Sequence, residues 1–565
     1  MESNYWTRGR AKLNRRRFLV AAGTAAGGFA LAACGGSKPT AGSSTGGKAG
    51  AAIKPGGTLQ FAISNEPDQQ SLDVNRTTGT WTHYVGMSIF DTLLVKDRQT
   101  ETKIVPSLAA SYESAPDLMS FTFRLRTGVK FHDGADFDAN AVKYMMDRAT
   151  DSKNTAALAF SYTGPNYKST EVIDHQTAKI TFVKPNPVIL SRLTRAYFGI
   201  PSPPAVEKLG LDKFSRSPVA SGAFLFKEWA AKDHVTVTRN PAYTWGPEIF
   251  SNRGAPYLDT LNFRVIPDPA TRGAALESGD AKMIEEPPFQ DIPRLLADPR
   301  FQGIQSYPQG TSYILYLNTR RPPTDDIAVR KAIQHAIDKD AIIKTVYFGI
   351  HQPAYSPITA STFGHDASLK SLYPHDAARA GQLLDQAGWT IGPGGVRRKN
   401  GQDLALSMIT SFKDLPELVQ AQLKQVGIKV DITVIPPGPQ MLDRSLKYTD
   451  HLRDGQNQQS GFLNEDPDIL RTTFSPDYIG KQAEATFVGF KDDAFSQVLN
   501  DQQQHLNDDT RAGLVKQAQK TVMDNALVVP IFDGHKTIIS AKGLDGVFIG
   551  PVLFYSFLND AHFTS

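Results

Sequence analysis

Between about residues 310 and 440 the apolar period alternates between helical and extended spacing, and this constrains the fold more than any other feature of the chain. In "DDIAVRKAIQHAIDKDAIIKTVYFG", Ile327, Ala332, Ile333, Ala336 and Ile337 form one helical stripe behind Asp325 or Asp326 as cap. Asp338 opens a second helix carrying Ile342, Ile343 and Val346, which Gly349 ends. "HDAARAGQLLDQAGW" and "LPELVQAQLKQVG" predict two more helices, the latter running into the strand "IKVDITVI". Helices alternating with strands in this way build α/β units.

The segment from 58 to 270 is richer in strands. "GGTLQFAIS" alternates, with Leu59, Phe61 and Ile63 on one face, which predicts a half-buried strand. "SFTFRLRTGVKFHDG" alternates through Phe121, Phe123 and Leu125 and then turns at Asp133-Gly134. Asp138 caps a helix bearing Ala141, Val142, Met145 and Met146, and "VTVTRN" is a further strand. A chain of 565 residues exceeds one ordinary domain, and 40% hydrophobic with 10% aromatic residues describes folded rather than disordered protein. No fixed-period repeat runs through it.

Cys34 is the sole cysteine, so an intrachain disulfide and a cysteine-based zinc or iron–sulfur site are excluded. Its position is informative. Arg15, Arg16 and Arg17 precede a 16-residue uncharged stretch, Phe18 to Ala33, and Leu31-Ala32-Ala33 leads into the thiol. That pattern is a three-part export signal, and its apolar run is short of the roughly 20 residues a spanning helix needs. "RRRFL", with Arg15, Arg16, Phe18 and Leu19, resembles the twin-arginine export motif, and "LAAC" resembles the lipobox of bacterial lipoproteins. The resemblance implies acylation of Cys34. "GGSKPTAGSSTGGKAGAA" then reads as a flexible tether over 35–53. It contains a G-x-S-x-G match and a near miss to a phosphate loop, but a Gly/Ser tether supplies neither the preceding strand nor the following helix that those motifs require.

The formal net charge of +4 is a property of the leader. Arg8, Arg10, Lys12, Arg15, Arg16 and Arg17 stand against Glu2 alone, and removing that surplus of five leaves −1. With no basic run carrying interleaved aromatics after residue 34, nucleic-acid binding is excluded.

Several stretches, taken in order, resemble the family-5 solute-binding proteins of ABC importers (the oligopeptide, dipeptide and nickel class). They are "GGTLQFAISNEPDQQSLDV", "SIFDTLLVKD", "FTFRLRTGVKFHDGADFDANAVKYMMDR", "PYLDTLNFRVIPDPATRGAALESGD", "GTSYILYLNT", "YPHDAARAGQLLDQAGW" and "QLKQVGIKVDITVI". "SGAFLFKEW" stands where that family has a Thr-Gly-Pro-Tyr run, and Val74 where proline is usual. The resemblance implies a two-lobed α/β fold of the periplasmic-binding-protein type, with a hinge between lobes and a subdomain inserted in the first. The expected division is a signal at 1–34, a tether at 35–53, lobe one at 54–96, 217–306 and 525–565, the insertion at 97–216, and lobe two at 307–524.

Enzyme chemistry finds little footing. The twelve histidines show no H-E-x-x-H or H-x-H spacing, and His132-Asp133 sits in the strand-to-turn junction "KFHDG". "NEDPD" lacks the glycine and distant glutamate of a calcium loop, and no metal or cofactor is expected. Binding is better served. By resemblance the cleft is lined by Asn65 and Glu66, by Trp81, His83 and Tyr84, by Tyr313, and by Phe462, Asn464, Glu465 and Asp466 of "GFLNEDPD". Glu66, Glu465 and Asp466 are the candidates to meet a ligand ammonium; Trp81 and Phe462 would stack on a neutral, sugar-like one. Each has a plainer reading: Trp81 in a core, Tyr313 packed in the hinge, Glu66 as a solvated loop carboxylate, and Glu465 or Asp466 as a helix cap before "DILRTTF". The expected function is an extracytoplasmic, lipid-anchored receptor of the cell envelope or periplasmic space. It would act as a monomer, capture a peptide or other small polar solute, and deliver it to an ABC permease driven by a separate ATPase. An exported hydrolase with a dispersed active site and an envelope sensor or chaperone are the alternatives.

Overall fold

The computed structural model describes residues 53–67, 70–77, 80–98, 102–154, 158–436, 439–454, 466–481, 483–550 and 556–564. All of them belong to the unit Ala51–Ser565. Arg15, Arg16, Phe18, Leu19, Cys34, Phe462, Asn464 and Glu465 lie outside the described residues.

Two large sheets organise this unit. The first has seven strands in the order Phe301–Ser306, Lys536–Ala541, Met283–Glu285, Thr58–Ile63, Thr260–Val265, His234–Arg239 and Phe224–Ala230. Its middle is parallel: Phe61 pairs with Met283 on one side and with Phe263 on the other. Leu59, Phe61 and Ile63 enter the main core as the alternation predicts. Ala62 on the opposite face is also buried, against Leu276, Ile284, Leu295 and Ile539. The expected half-buried strand is thus covered on both faces, as central parallel strands are.

The second sheet has six strands in the order Gln352–Pro353, Val528–Asp533, Tyr313–Leu317, Leu452–Asp454, Ala405–Thr410 and Lys429–Val434. Helices cover both of its faces. On one side lie Ile327–Ala336, Lys339–Val346, Ala377–Gln386 and Asp414–Gln425, whose Ile333, Ile342, Leu384 and Leu423 are buried together. On the other lie Ile469–Phe474, Asp493–Asp501 and Asp509–Asp524, contributing Leu470, Phe495 and Val522. The caps follow the sequence: Asp326 accepts from the Ala328 N–H and Asp338 from the Ala341 N–H.

A third, four-stranded antiparallel sheet is built from Ala109–Ser114, Ser120–Leu125, Thr177–Phe182 and Tyr167–Asp174. Helix Ala139–Ala149, capped by Asp138, shares with it a core that runs on into the first sheet. In "SGAFLF", Gly222 is held by Ile89, whose carbonyl accepts its N–H. A Cβ on Gly222 would lie 2.4 Å from the Ile89 backbone, so only glycine fits there.

The chain passes between the two large sheets after Ser306, to reach Tyr313, and again after Asp533, to reach Lys536. The second passage differs from expectation. The sequence places residues 525–565 in lobe one, whereas Val528–Asp533 pairs with Tyr313–Leu317 in the second sheet. The return to the first sheet therefore falls between Asp533 and Lys536.

Candidate functional site

Strand direction brings the chemistry to one edge of each sheet. In the first, the parallel strands end at Ile63, Val265 and Glu285, and the antiparallel neighbour begins at the same edge with Lys536, paired to Ser306. In the second, the parallel strands end at Thr410, Val434 and Asp454. The antiparallel partners there present Tyr313 and Phe532, which pair with each other. Both passages leave from these edges. Asp533 and Lys536 are separated by two residues, a span of at most about 11 Å. Carboxyl edges of parallel strands are where open α/β sheets hold ligands, and here two such edges face the same linkers.

The wall on the first sheet is a buried polar cluster. Glu285 accepts from the Ser64 N–H at 2.5 Å and from the Ser64 hydroxyl at 2.6 Å. It also accepts from the indole N–H of Trp81 at 3.0 Å, and its second oxygen lies 3.3 Å from the Lys536 ammonium. Burial would raise the Glu285 pKa, but Lys536 and the Ser64 and Trp81 donors outweigh it and hold the group below its ordinary value. Lys536 also stands 5.4 Å over the Tyr84 ring. Arg272 completes the wall by donating to the carbonyls of Glu285 and Glu286.

The wall on the second sheet is aromatic. Phe532 is stacked between Tyr313 (4.7 Å, 10°) and His351 (4.5 Å, 15°), with Tyr347 at 4.7 Å. Phe289, from the segment after Glu285, packs edge-on against Tyr347 and His351 and so joins the walls. The two linkers are tied as well: Ser312 donates to Asp533 at 2.6 Å, and burial pushes that carboxyl up to about 6.

A family model, that of the bacterial extracellular solute-binding proteins, family 5, matches residues 103–484. The chain belongs to this family. The glutathione-binding protein GsiB of Salmonella paratyphi A is 31% identical over 368 residues, covering 65% of this chain and 68% of that protein. Its Shigella dysenteriae counterpart is 28% identical over 509 residues, covering 86% and 91%. Among solved structures, the Helicobacter pylori periplasmic binding protein DppA with peptide STSA superposes with a TM-score of 0.69 at 26% identity, covering 90% of this chain and 99% of that one. NikA from Brucella suis with Fe(III)-EDTA gives 0.77 at 25% identity, covering 90% and 100%. The protein is therefore a solute-binding component of the ABC-importer class with the two-lobed fold of that family, not an enzyme.

The family-5 chain places its expected site residues unevenly. Trp81 belongs to the polar wall, half-buried and bonded to Glu285. Tyr84 lies fully buried beneath Lys536, against Phe61 at 5.3 Å. Tyr313 belongs to the aromatic wall. His83 turns inward: its Nε2–H donates to the Val74 carbonyl at 3.3 Å, and burial pushes its pKa down to about 4. Asn65 is exposed at the end of its strand, and Glu66 accepts from the Lys232 N–H at 3.0 Å, in keeping with a loop carboxylate.

Asp466 departs furthest from expectation. Both of its oxygens engage Arg511, at 2.5 and 3.0 Å, and one also accepts from the Asp468 N–H. Arg511 is itself 1% exposed. This is a buried ion pair, so Asp466 is engaged by Arg511 and not open at a cleft wall; Asp468, not Asp466, stands at the helix N-terminus. His132 is structural too, its Nε2 donating to Gly222 and its Nδ1 accepting from Ala220. Among the described residues no group of three or more histidine, cysteine or acidic side chains could hold a metal, and no helix is long and apolar enough to cross a membrane. Glu285, Lys536, Ser64 and Phe532 were missed. The available signal was a charge abutting an apolar strand, as in "KMIEE" and "HKTIIS".

Proposed function

We propose that this protein is an exported, lipid-anchored, monomeric receptor that captures a peptide-class solute between its lobes and passes it to a membrane permease powered by a separate ATPase. The observation that carries the reading is the convergence of two strand edges, one polar and one aromatic, on linkers short enough to act as a hinge. Such walls suit a ligand with a polar backbone and apolar side chains. Closure of the lobes on that ligand supplies the state a transporter recognises. The glutathione-binding relatives and the peptide in the DppA structure support a peptide of a few residues over a sugar. "RRRFL" and Cys34 support export by the twin-arginine route and acylation. The Gly/Ser tether at 35–53 supports freedom of the lobes above the membrane.

The test is mass spectrometry of protein purified from its own host under native and then denaturing conditions. A peptide of glutathione-like size, bound one to one and released on unfolding, is expected. A bound oligosaccharide would refute the peptide class.

A further inference from the structure

Four rings from four separate segments stand in a row where the chain passes between the two large sheets. Tyr307 follows the last residue of Phe301–Ser306 on the outward passage, and its ring is edge-on to His535 of the return passage, at 4.5 Å and 72°. The His535 ring lies 6.2 Å from that of His351, and the His535 N–H donates to His351 Nδ1 at 3.2 Å. His351 directly precedes the edge strand Gln352–Pro353 of the second sheet. The row ends on Phe289, edge-on to His351 at 5.2 Å and 79°.

Phe289 is attached to one sheet and packed into the core of the other. Residues 286–291 join the strand Met283–Glu285 to the helix Ile292–Ala297, and Ile284 and Leu295 of these elements are buried together on the first sheet. Yet Phe289 packs against the core of the second, T-shaped to Tyr347 at 5.3 Å as well as to His351. Tyr347, His351 and Phe532 line this socket, their ring centres within 4.7 Å of one another. The arm that carries Phe289 is stiff. Arg272 holds the carbonyls of Glu285 and Glu286 at 2.9 and 2.8 Å. Glu286 takes a left-handed φ of 43°, and the rings of Pro287 and Pro288 fix φ at the next two residues. The Asp291 N–H then closes the turn on the Pro288 carbonyl at 2.9 Å.

A contact far from the line of rotation must break when two lobes swing, whereas one beside the linkers can persist. Apolar contact is non-directional, so a ring can turn in its socket without leaving it. Two linkers of backbone alone permit shear as well as bending. A side-chain contact beside them removes that freedom and leaves one rotation. Lobes so ordered lose less entropy when ligand binds.

We propose that Phe289 is the pivot of lobe closure, a positioning residue that stays seated against Tyr347 and His351 while the body of the first sheet rotates over that of the second. This rests on the reading of the protein as a two-lobed receptor with these sheets at the lobe centres.

Pulsed electron resonance between spin labels at Ser278→Cys and Lys424→Cys, in a Cys34→Ser background, tests the pivot. Both positions are exposed, one on each body. Ligand-free Phe289→Ala should give a distance distribution at least about twice as wide as wild type, and Phe289→Leu, which refills the socket, one close to it. Calorimetry with glutathione should read about tenfold weaker binding for Phe289→Ala and less than about threefold for Phe289→Leu. A merely structural ring would lower the melting temperature and leave distribution and affinity unchanged, and that result overturns the proposal. Phe289→Cys with Tyr347→Cys adds a second test, bridged by a short bis-methanethiosulfonate reagent. A pivot tolerates the bridge, so glutathione should bind within about threefold of the reduced form. Binding lost on bridging and restored on reduction would show that the contact has to open, and the pivot falls. Should glutathione not bind wild type, the ligand reading fails separately, and the ligand-free distributions decide the pivot. Should Phe289→Ala not fold, Phe289→Val takes its place.

Discussion

Glu285 and Lys536 lie 251 residues apart in sequence and meet at 3.3 Å, both side chains shut off from solvent. Glu285 closes a parallel strand of the first sheet, and Lys536 opens the strand that follows the return from the second. Their pairing therefore secures one end of the shorter linker at the lobe that Trp81 and Ser64 also join.

Breaking that pair from one side leaves the other charge buried. Lys536→Met, which strands Glu285 in the interior, should destabilise the protein by about 3–5 kcal/mol, and Glu285→Gln by less, because Lys536 keeps Glu286 at 3.5 Å. The double variant should lose less than the sum of the singles, with a coupling of about 1–3 kcal/mol. Denaturant unfolding of the four proteins measures this. Additive losses would mean that the two groups do not depend on each other.

Asp466→Asn should behave as a stability variant, since it strands Arg511 in the core of lobe two. A loss of about 3–5 kcal/mol is expected, with affinity for glutathione or peptides little changed in the protein that remains folded. An unchanged melting temperature with weakened binding would restore the ligand role expected from the sequence.

These two pairs also mark how much the sequence could reveal. The caps at Asp138, Asp326 and Asp338 were legible because a cap is satisfied within three residues of itself. The ordered blocks from "GGTLQFAIS" to "IKVDITVI" were enough for the two-lobed fold. That Val528–Asp533 joins the second sheet was not legible, because a strand's sheet is chosen by its partner, and its partner Tyr313–Leu317 lies about two hundred residues away. The Asp466 ion pair was hidden for the same reason: nothing near "NEDPD" announces Arg511. Trp81 and Tyr313 could be named as aromatic, but not that Glu285 and Phe532 would meet them.

Acid should weaken the fold. Burial pushes His83 and His132 down to about 4 and His351 to about 3, against an ordinary 6.5. Between pH 6.5 and about 4 the unfolded chain binds protons on these rings that the folded chain refuses, so stability falls as pH drops through that window. The slope is about 1.4 kcal/mol per pH unit for each ring. Asp91 and Asp533, pushed up by burial to about 6, act with the opposite sign below that pH, because the folded chain protonates them first. The net decline below about pH 6 should therefore be smaller than the three rings alone would give. In His132→Gln, scanning calorimetry should show a smaller loss of melting temperature between pH 6.5 and 5 than in wild type. Parallel curves would mean that His132 does not contribute.

Cys34→Ser removes the only thiol. If Cys34 carries the anchor, the variant should leave the membrane fraction or accumulate at precursor size. Fractionation and migration identical to wild type would refute acylation at this position.

The central claim is that the lobes close on a peptide-class solute, and titration calorimetry with glutathione and a mixed library of di- to pentapeptides tests it most directly. The account predicts one-to-one binding with a Kd of about 1 μM or tighter, near −8 kcal/mol, for at least one member. It also predicts a negative heat-capacity change as apolar wall is buried. Titrations that release no heat with any peptide at several temperatures, from protein first unfolded and refolded to remove retained ligand, would contradict it.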